Sequence, residues 1–282
     1  MSFPQAVQIV HDALTQLRES GADLRVSSKT LERLAALPPA ATEPAPTAVE
    51  KVAIPASQPQ VSTVPPAPPK RSGDAETKAA QLAEIRGPIL ACTKCEHLVQ
   101  SRTQVVFGVG NPDAELMFVG EAPGEDEDLQ GEPFVGKAGQ LLTKIIQAMN
   151  FERADVYIGN VLKCRPNMPP GESGNRKPKP GEMETCLPYL RQQIDIIQPR
   201  VLVALGAAAM EGLLGETTPM NKLRGRWHEF NGIPLMATYH PAYLLRNQAL
   251  SEKRKVWEDM LMVLEKLARP ISEKQRNFFL PK

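Results

Sequence analysis

Between residues 115 and 268, four short apolar runs alternate with longer stretches of helical periodicity, and this alternation limits the possible folds more than any other feature of the chain. The runs are Glu115 to Val119, Val156-Tyr157-Ile158, Arg200 to Leu205 and Pro234 to Thr238. The third is apolar from Val201 onward, as a strand covered on both faces should be. Helical patterns cover 78–89, 138–149, 182–197, 207–214 and 253–268. In the second of them Leu141, Leu142, Ile145 and Ile146 point inward, and in the last Val256, Trp257, Met260, Leu264 and Leu267 share a face. Strands that alternate with helices imply a parallel sheet with helices on both sides. The expected architecture is therefore α/β: a three-layer α/β/α domain around a four-stranded, mainly parallel central sheet. In such a sheet the strand ends at Gly120, Asn160 and His240 open on one edge, which is where ligands of α/β proteins sit.

The domain is expected over 75–269, with a tail over 270–282. Ahead of it, Phe3, Val7, Val10, Leu14 and Leu17 form one apolar stripe, and Leu31, Leu34 and Leu37 suggest a second short helix. Residues 1–37 thus read as a short helical segment, either a small unit or a docking piece that needs a protein partner. From Pro38 the composition turns to Pro, Ala, Thr, Val, Ser and Gln, almost without charge, so 38–74 is expected to be a disordered, semi-stiff linker. Net charge is +1, which excludes a globally basic protein but not a local basic surface. No apolar run is long enough to span a bilayer and Met1 opens no signal-peptide pattern, so a cytoplasmic protein without membrane contact is expected.

The stretch from Val119 to Gly136, VGEAPGEDEDLQGEPFVG, leaves the first strand through glycines and a proline and carries six acidic residues. A glycine-punctuated loop at the carboxyl end of a strand is a candidate active site. The topology brings to it the carboxylates Glu121 and Glu127, the ring of Phe134, Asn160 and His240. An amide offers a donor and an acceptor in one plane, which suits the edge of a heterocycle, and an aromatic face suits stacking on it. The cysteines Cys92, Cys95, Cys164 and Cys186 form a CxxC pair followed by two single residues. That pattern suits a four-thiolate metal site, and spacing alone leaves zinc and an iron–sulfur cluster equally open.

The segments GEAPGEDED, PFVGKAGQLL, GNVLKCRP and HPAYLLRN, together with the four cysteines, resemble the family 4 uracil-DNA glycosylases over about Ala75 to Ala268. The resemblance implies a [4Fe-4S] cluster on Cys92, Cys95, Cys164 and Cys186, and a monofunctional DNA-repair hydrolase that flips uracil out and cuts its N-glycosidic bond. It implies that Phe134 stacks on uracil, that Asn160 reads its edge, and that His240 stabilises the charge developing on O2. Ala122 stands where family 1 enzymes have a catalytic aspartate. Water activation then falls to Glu127 or Glu121, with the backbone amides of the loop as a further candidate.

A flipped base leaves a gap and exposes phosphates. Leu244, Leu245 and Arg246 are the expected wedge, and Lys163, Arg165, Asn175 and Arg176 the expected backbone contacts. Lys177, Lys179, Lys222, Arg224 and Arg226 extend the basic set. The expected partner is uracil-containing DNA, single- or double-stranded, bound by a monomer at the bacterial nucleoid. Two alternatives stand beside this: a non-catalytic, metal-stabilised nucleic-acid-binding module, and an X-type homologue that bonds covalently to uracil-DNA. The latter needs an Arg-rich insertion that LRGRWHEFNGIPLMATYHP lacks.

Overall fold

A computed structural model describes residues 73–166, 168, 172 and 174–280. The expected helical segment over 1–37 and all but the last two residues of the expected linker lie outside the described residues. Asp74 begins the domain by capping helix α1 (Ala75–Leu90), where its carboxylate accepts the Thr77 N–H at 2.8 Å. The order then runs α2 (Glu96–Val99), β1 (Val109–Gly110), β2 (Leu116–Gly120), α3 (Glu125–Gln130), α4 (Lys137–Ala148) and β3 (Tyr157–Asn160). It continues through α5 (Pro180–Ile197), β4 (Val201–Leu205), α6 (Ala207–Leu214), α7 (Met220–Leu223), β5 (Trp227–Phe230) and β6 (Ile233–Thr238). The chain closes with α8 (Pro241–Arg246), α9 (Leu250–Lys266) and α10 (Glu273–Arg276).

The six strands form one sheet in the order β1-β3-β2-β4-β6-β5. The inner four, β3, β2, β4 and β6, are parallel and are the four expected strands. Two more strands flank them, both antiparallel. β1 is only two residues long, and β5 is a half-exposed strand turned back onto β6 at Asn231-Gly232. Short edge strands of this kind close a parallel sheet without the burial that makes inner strands readable.

Alternation within the strands divides the core. Met117, Val119, Leu202, Ala204, Leu235 and Ala237 face α1, α5 and α6 through Leu82, Ile89, Leu190, Ile194, Ile197 and Met210. Leu116, Phe118, Ile158, Val201, Val203 and Met236 face α4 and α9 through Leu142, Ile146, Trp257, Met260, Val263 and Leu264. Both faces of the sheet are thus covered, which is why its inner strands carry no polar face. The segment expected as a tail also belongs to the second layer. Trp257 Nε1 donates to the Gln275 carbonyl at 2.6 Å, the buried Gln275 donates to the Ala148 carbonyl at 2.8 Å, and Phe278 lies 5.1 Å from the Trp257 ring. Register aligns Gly120 with Asn160 and Leu205 with Thr238, so the loops that follow β2, β3 and β6 leave one edge together.

Candidate active site

Gly120 and Asn160 are the last residues of β2 and β3 and pair directly. A Cβ added at Gly120 would lie 2.3 Å from Asn160 Oδ1 and 2.6 Å from two ring carbons of Phe134. The amide and the ring therefore converge over a position that tolerates no side chain. Phe134 reaches this point through a left-handed backbone, φ 56°, a conformation that costs a non-glycine residue about 1–3 kcal/mol and persists only where its surroundings hold it. They do so on two sides: a Cβ at Gly139, in the first turn of α4, would lie 1.8 Å from the Phe134 carbonyl oxygen, and Glu127 grips the residues just after the ring. The Phe134 ring lies 5.5 Å from that of His240, tilted by 32°.

Asn160 is 2% exposed, and its Oδ1 is buried without a hydrogen-bond partner among the described residues. Buried acceptors without a donor are rare, because each forfeits hydration without compensation. The slot beside Phe134 thus presents an acceptor that lacks one N–H donor.

His240 follows β6 and caps α8, its Nδ1 accepting the Ala242 N–H at 3.1 Å. That bond leaves Nδ1 without a proton and fixes the neutral ring's hydrogen on Nε2. Burial, assisted by the positive charge of Arg246, lowers the imidazole pKa to about 4. The ring is therefore a neutral Nε2–H donor at physiological pH.

Both carboxylates assigned to water activation sit at this edge, but they differ. Glu127 is the third residue of α3, and its carboxylate accepts the N–H groups of Gly124 at 3.0 Å, Val135 at 2.9 Å and Gly136 at 3.0 Å. It fastens the acidic loop to the residues beside Phe134. Glu121 is half-buried, and among the described residues no donor is bonded to its carboxylate. Burial raises its pKa, with Lys177 opposing and Glu211 adding to the shift. Ala122 packs partly buried against the core.

The basic residues separate into those that face outward and those that do not. Arg246 is exposed, and Leu245 is 39% exposed on α8, which packs against α4. Leu244, one residue earlier, is 5% exposed and turns inward, so the expected two-leucine wedge reduces to one. Lys163 corrects the expectation more sharply: it is fully buried, its Nζ donates to Gln193 Oε1 at 2.5 Å, and desolvation lowers its pKa to about 8. No phosphate can reach it. Arg176 is bidentate to Glu182, at 2.9 and 2.6 Å, and Lys177, though exposed, is paired with Glu211. Arg224 is bidentate to the buried Asp259, at 3.1 and 2.6 Å. Arg165 stays at the rim, donating to the Gly174 carbonyl at 3.0 Å and lying 3.5 Å from Glu125, with its buried Nε unpartnered among the described residues. Asn175 is exposed, its amide against Gly124, and Lys179, Lys222 and Arg226 are exposed.

The four cysteines are free thiols. They come from the turn after α1 (Cys92, Cys95), the loop after β3 (Cys164) and α5 (Cys186). Burial raises the pKa of Cys95, Cys164 and Cys186, and the neighbouring cysteines raise it further, so the four sulfurs crowd one another's charge. Donors aim at three of them: Arg102 Nη1 at Cys164 Sγ (3.0 Å), the Lys163 N–H at Cys186 Sγ (3.2 Å) and the Tyr189 hydroxyl at Cys92 Sγ (3.2 Å). Four sulfurs brought this close, three of them taking hydrogen bonds, could hold a metal centre, whose positive charge would favour their thiolate forms. Among the described residues no three Cys, His, Asp or Glu side chains are gathered as closely as metal ligands. Glu182 braces this region, accepting from Arg176, from the Lys179 N–H at 2.7 Å and pairing with His97 at 2.7 Å, and these partners lower its pKa to about 2 against the effect of burial.

Sequence reasoning missed Gly139, Arg102 and Asp128. Gly139 had a signal, a glycine one turn into a helix that follows an aromatic residue. The other two had none, because the Cys164 sulfur that Arg102 meets and the Thr103 N–H that Asp128 accepts lie 62 and 25 residues away.

Comparison with known proteins places these features in a family. The family model of the Uracil DNA glycosylase superfamily matches residues 107–261. The type-4 uracil-DNA glycosylase of Archaeoglobus fulgidus is 43% identical over 180 residues, 61% of this chain and 87% of that protein. That of Thermotoga maritima is 46% identical over 172 residues, 60% of this chain and 85% of that protein. That of Sulfurisphaera tokodaii is 41% identical over 208 residues, 71% of this chain and 90% of that protein.

Proposed function

Because the chain belongs to the uracil-DNA glycosylase superfamily, in its type-4 branch, we propose that it hydrolyses the N-glycosidic bond of uracil in DNA, releasing the free base and leaving an abasic site. The observation that carries this reading is the unpartnered Asn160 Oδ1 beside the Phe134 ring. Uracil brings an N3–H donor to that acceptor. Neutral cytosine has a lone pair at N3, and its approach sets acceptor against acceptor.

A base within a duplex must leave the stack, and stacking and edge contacts in a pocket offset the unstacking cost of about a few kcal/mol. Phe134 supplies the stacking face and Asn160 the edge contact. Leu245 enters the gap in the duplex, while Arg246, Arg165 and Asn175 meet phosphates at the rim. As the bond lengthens, its electron pair moves to uracil N1 and spreads to O2, where the His240 Nε2–H donates. A neutral donor suits that charge, because it stabilises the anion without giving up its proton. Water adds to C1′ from the other side and passes its proton to Glu121, whose desolvated carboxylate is a stronger base than one in water. Glu127 acts by holding Phe134.

The thiols fit a [4Fe-4S] cluster, which Cys92, Cys95, Cys164 and Cys186 would hold. When bound it supplies a covalent cross-link between the turn after α1, the loop after β3 and α5. The protein would work on single- or double-stranded DNA as a monomer in the cytoplasm, at the nucleoid. No helix among the described residues is long and apolar enough to cross a membrane.

The purified full chain, incubated with a uracil-containing oligonucleotide, is expected to liberate free uracil and leave an alkali-labile site. Intact oligonucleotide after incubation with protein that shows iron–sulfur absorption would overturn the reading in favour of a binding module.

A further inference from the structure

The segment that meets the thiols also holds the base slot. Arg102 donates from Nη1 to Cys164 Sγ and from Nη2 to the Cys92 carbonyl at 2.7 Å. The next residue, Thr103, gives its N–H to both oxygens of Asp128, at 3.1 and 2.9 Å. Gln104 then donates from Nε2 to the Leu129 carbonyl at 2.8 Å. Asp128 and Leu129 belong to α3, which also carries Glu127. Asp128 is buried, yet the chemistry proposed above does not use it.

A six-residue helix is too short to hold its own shape or place, since isolated helices below about 12–15 residues are marginal in water. The position of α3 is therefore set by its bonds to neighbours. On one side these are the amides of Val135 and Gly136, held by Glu127; on the other they are Thr103 and Gln104, behind which Arg102 is fixed to two of the cysteines. We propose that Asp128 and Arg102 are positioning residues that carry the placement of the thiolate set to the uracil slot, along the route Cys164, Arg102, Thr103, Asp128, Glu127, Phe134. Displacing α3 slackens Val135 and Gly136, and the strained Phe134 then leaves its place over Gly120. This inference rests on the glycosylase reading and adds to it: the metal centre aligns the ring that stacks on the base.

The test uses the full, cluster-loaded chain and the variants Asp128→Asn, Arg102→Lys and Gln104→Ala. Each is read by iron–sulfur absorption per chain, melting temperature, kcat, KM for the oligonucleotide, and inhibition by free uracil. Asp128→Asn keeps the shape of the side chain and removes its charge. It is expected to retain the cluster and to lose on the order of tenfold in both kcat and uracil inhibition, because small misplacements of a positioned group are amplified in rate. KM for DNA should change less than kcat, since no rim residue is substituted and only Arg165 and Asn175 among them touch α3 or its cap. Arg102→Lys should act in the same direction, and the double variant should cost no more than the larger single one, as members of one chain of contacts do. Gln104→Ala sits at the surface, folds regardless, and should weaken uracil inhibition by a smaller factor.

Unchanged uracil inhibition in the folded variants overturns the coupling, as does a loss of activity that only tracks loss of the cluster. A wild-type chain that releases no uracil overturns the glycosylase reading instead, so the two failures are distinct.

Discussion

Gly120→Ala is expected to abolish uracil excision, with kcat/KM down by on the order of 10² or more, while the protein stays folded and keeps its metal centre. One methyl at this position would stand 2.3 Å from Asn160 Oδ1 and 2.6 Å from the Phe134 ring. Contacts that short must relax by moving something, and neither neighbour is free to move. Asn160 is the terminal residue of an inner strand, and Phe134 is held by Glu127 through Val135 and Gly136 and by the close passage of Gly139. The relaxation would therefore take the space that the base needs. Overpacking of a buried site typically costs about 1–3 kcal/mol, which lowers the melting temperature without unfolding the domain. Rate and melting measurements on the same sample separate these effects. A variant with wild-type kcat/KM would show that the base binds elsewhere.

His240→Ala is expected to lower kcat by on the order of 10² to 10³ and to leave KM nearly unchanged. A donor aimed at charge that develops only in the transition state contributes little to ground-state binding. The protonation state of the ring gives a companion measurement. Its folded-state pKa, lowered to about 4, lies below the ordinary histidine value, so between these two values the unfolded chain binds a proton that the folded chain does not. Stability from this group is fully present above the ordinary value and is lost as pH falls toward 4. An NMR titration of the ring should accordingly show a midpoint near 4, and the neutral donor should persist at pH 6. A midpoint at the ordinary value would mean that His240 is an imidazolium through much of the working range, and the neutral-donor role would fail.

The four inner strands could be read from sequence because burial on both faces leaves continuous apolar runs such as Val201 to Leu205. Their parallel order also foretold that Gly120, Asn160 and His240 would share an edge. β1 could not be read in this way, since two residues carry no period, and β5, which reads as a strand around Trp227-His228, has no continuous apolar run because its edge is half-exposed.

The side chains that were misread share a physical cause. Whether a lysine or arginine meets solvent depends on partners that the fold supplies, most of them remote in the chain: Gln193 for Lys163 and Asp259 for Arg224, while Glu182, which pairs with Arg176, is six residues away but is aimed by the start of α5. A local run of positive charge does not reveal such partners. Leu244 and Leu245 differ by one step on a short helix, and that phase is set by packing on α4. Glu127 was expected to activate water; its three backbone donors, which make it a clamp, come from a loop whose path only the folded chain defines.

The central claim is that Asn160 Oδ1 waits for the N3–H of uracil, and calorimetric binding of free bases to the cluster-loaded chain tests it most directly. Uracil should bind, and 3-methyluracil, which has the same ring but no N3–H, should bind at least tenfold more weakly, the factor expected when a buried acceptor loses its only donor. Equal affinity for the two bases would contradict the claim.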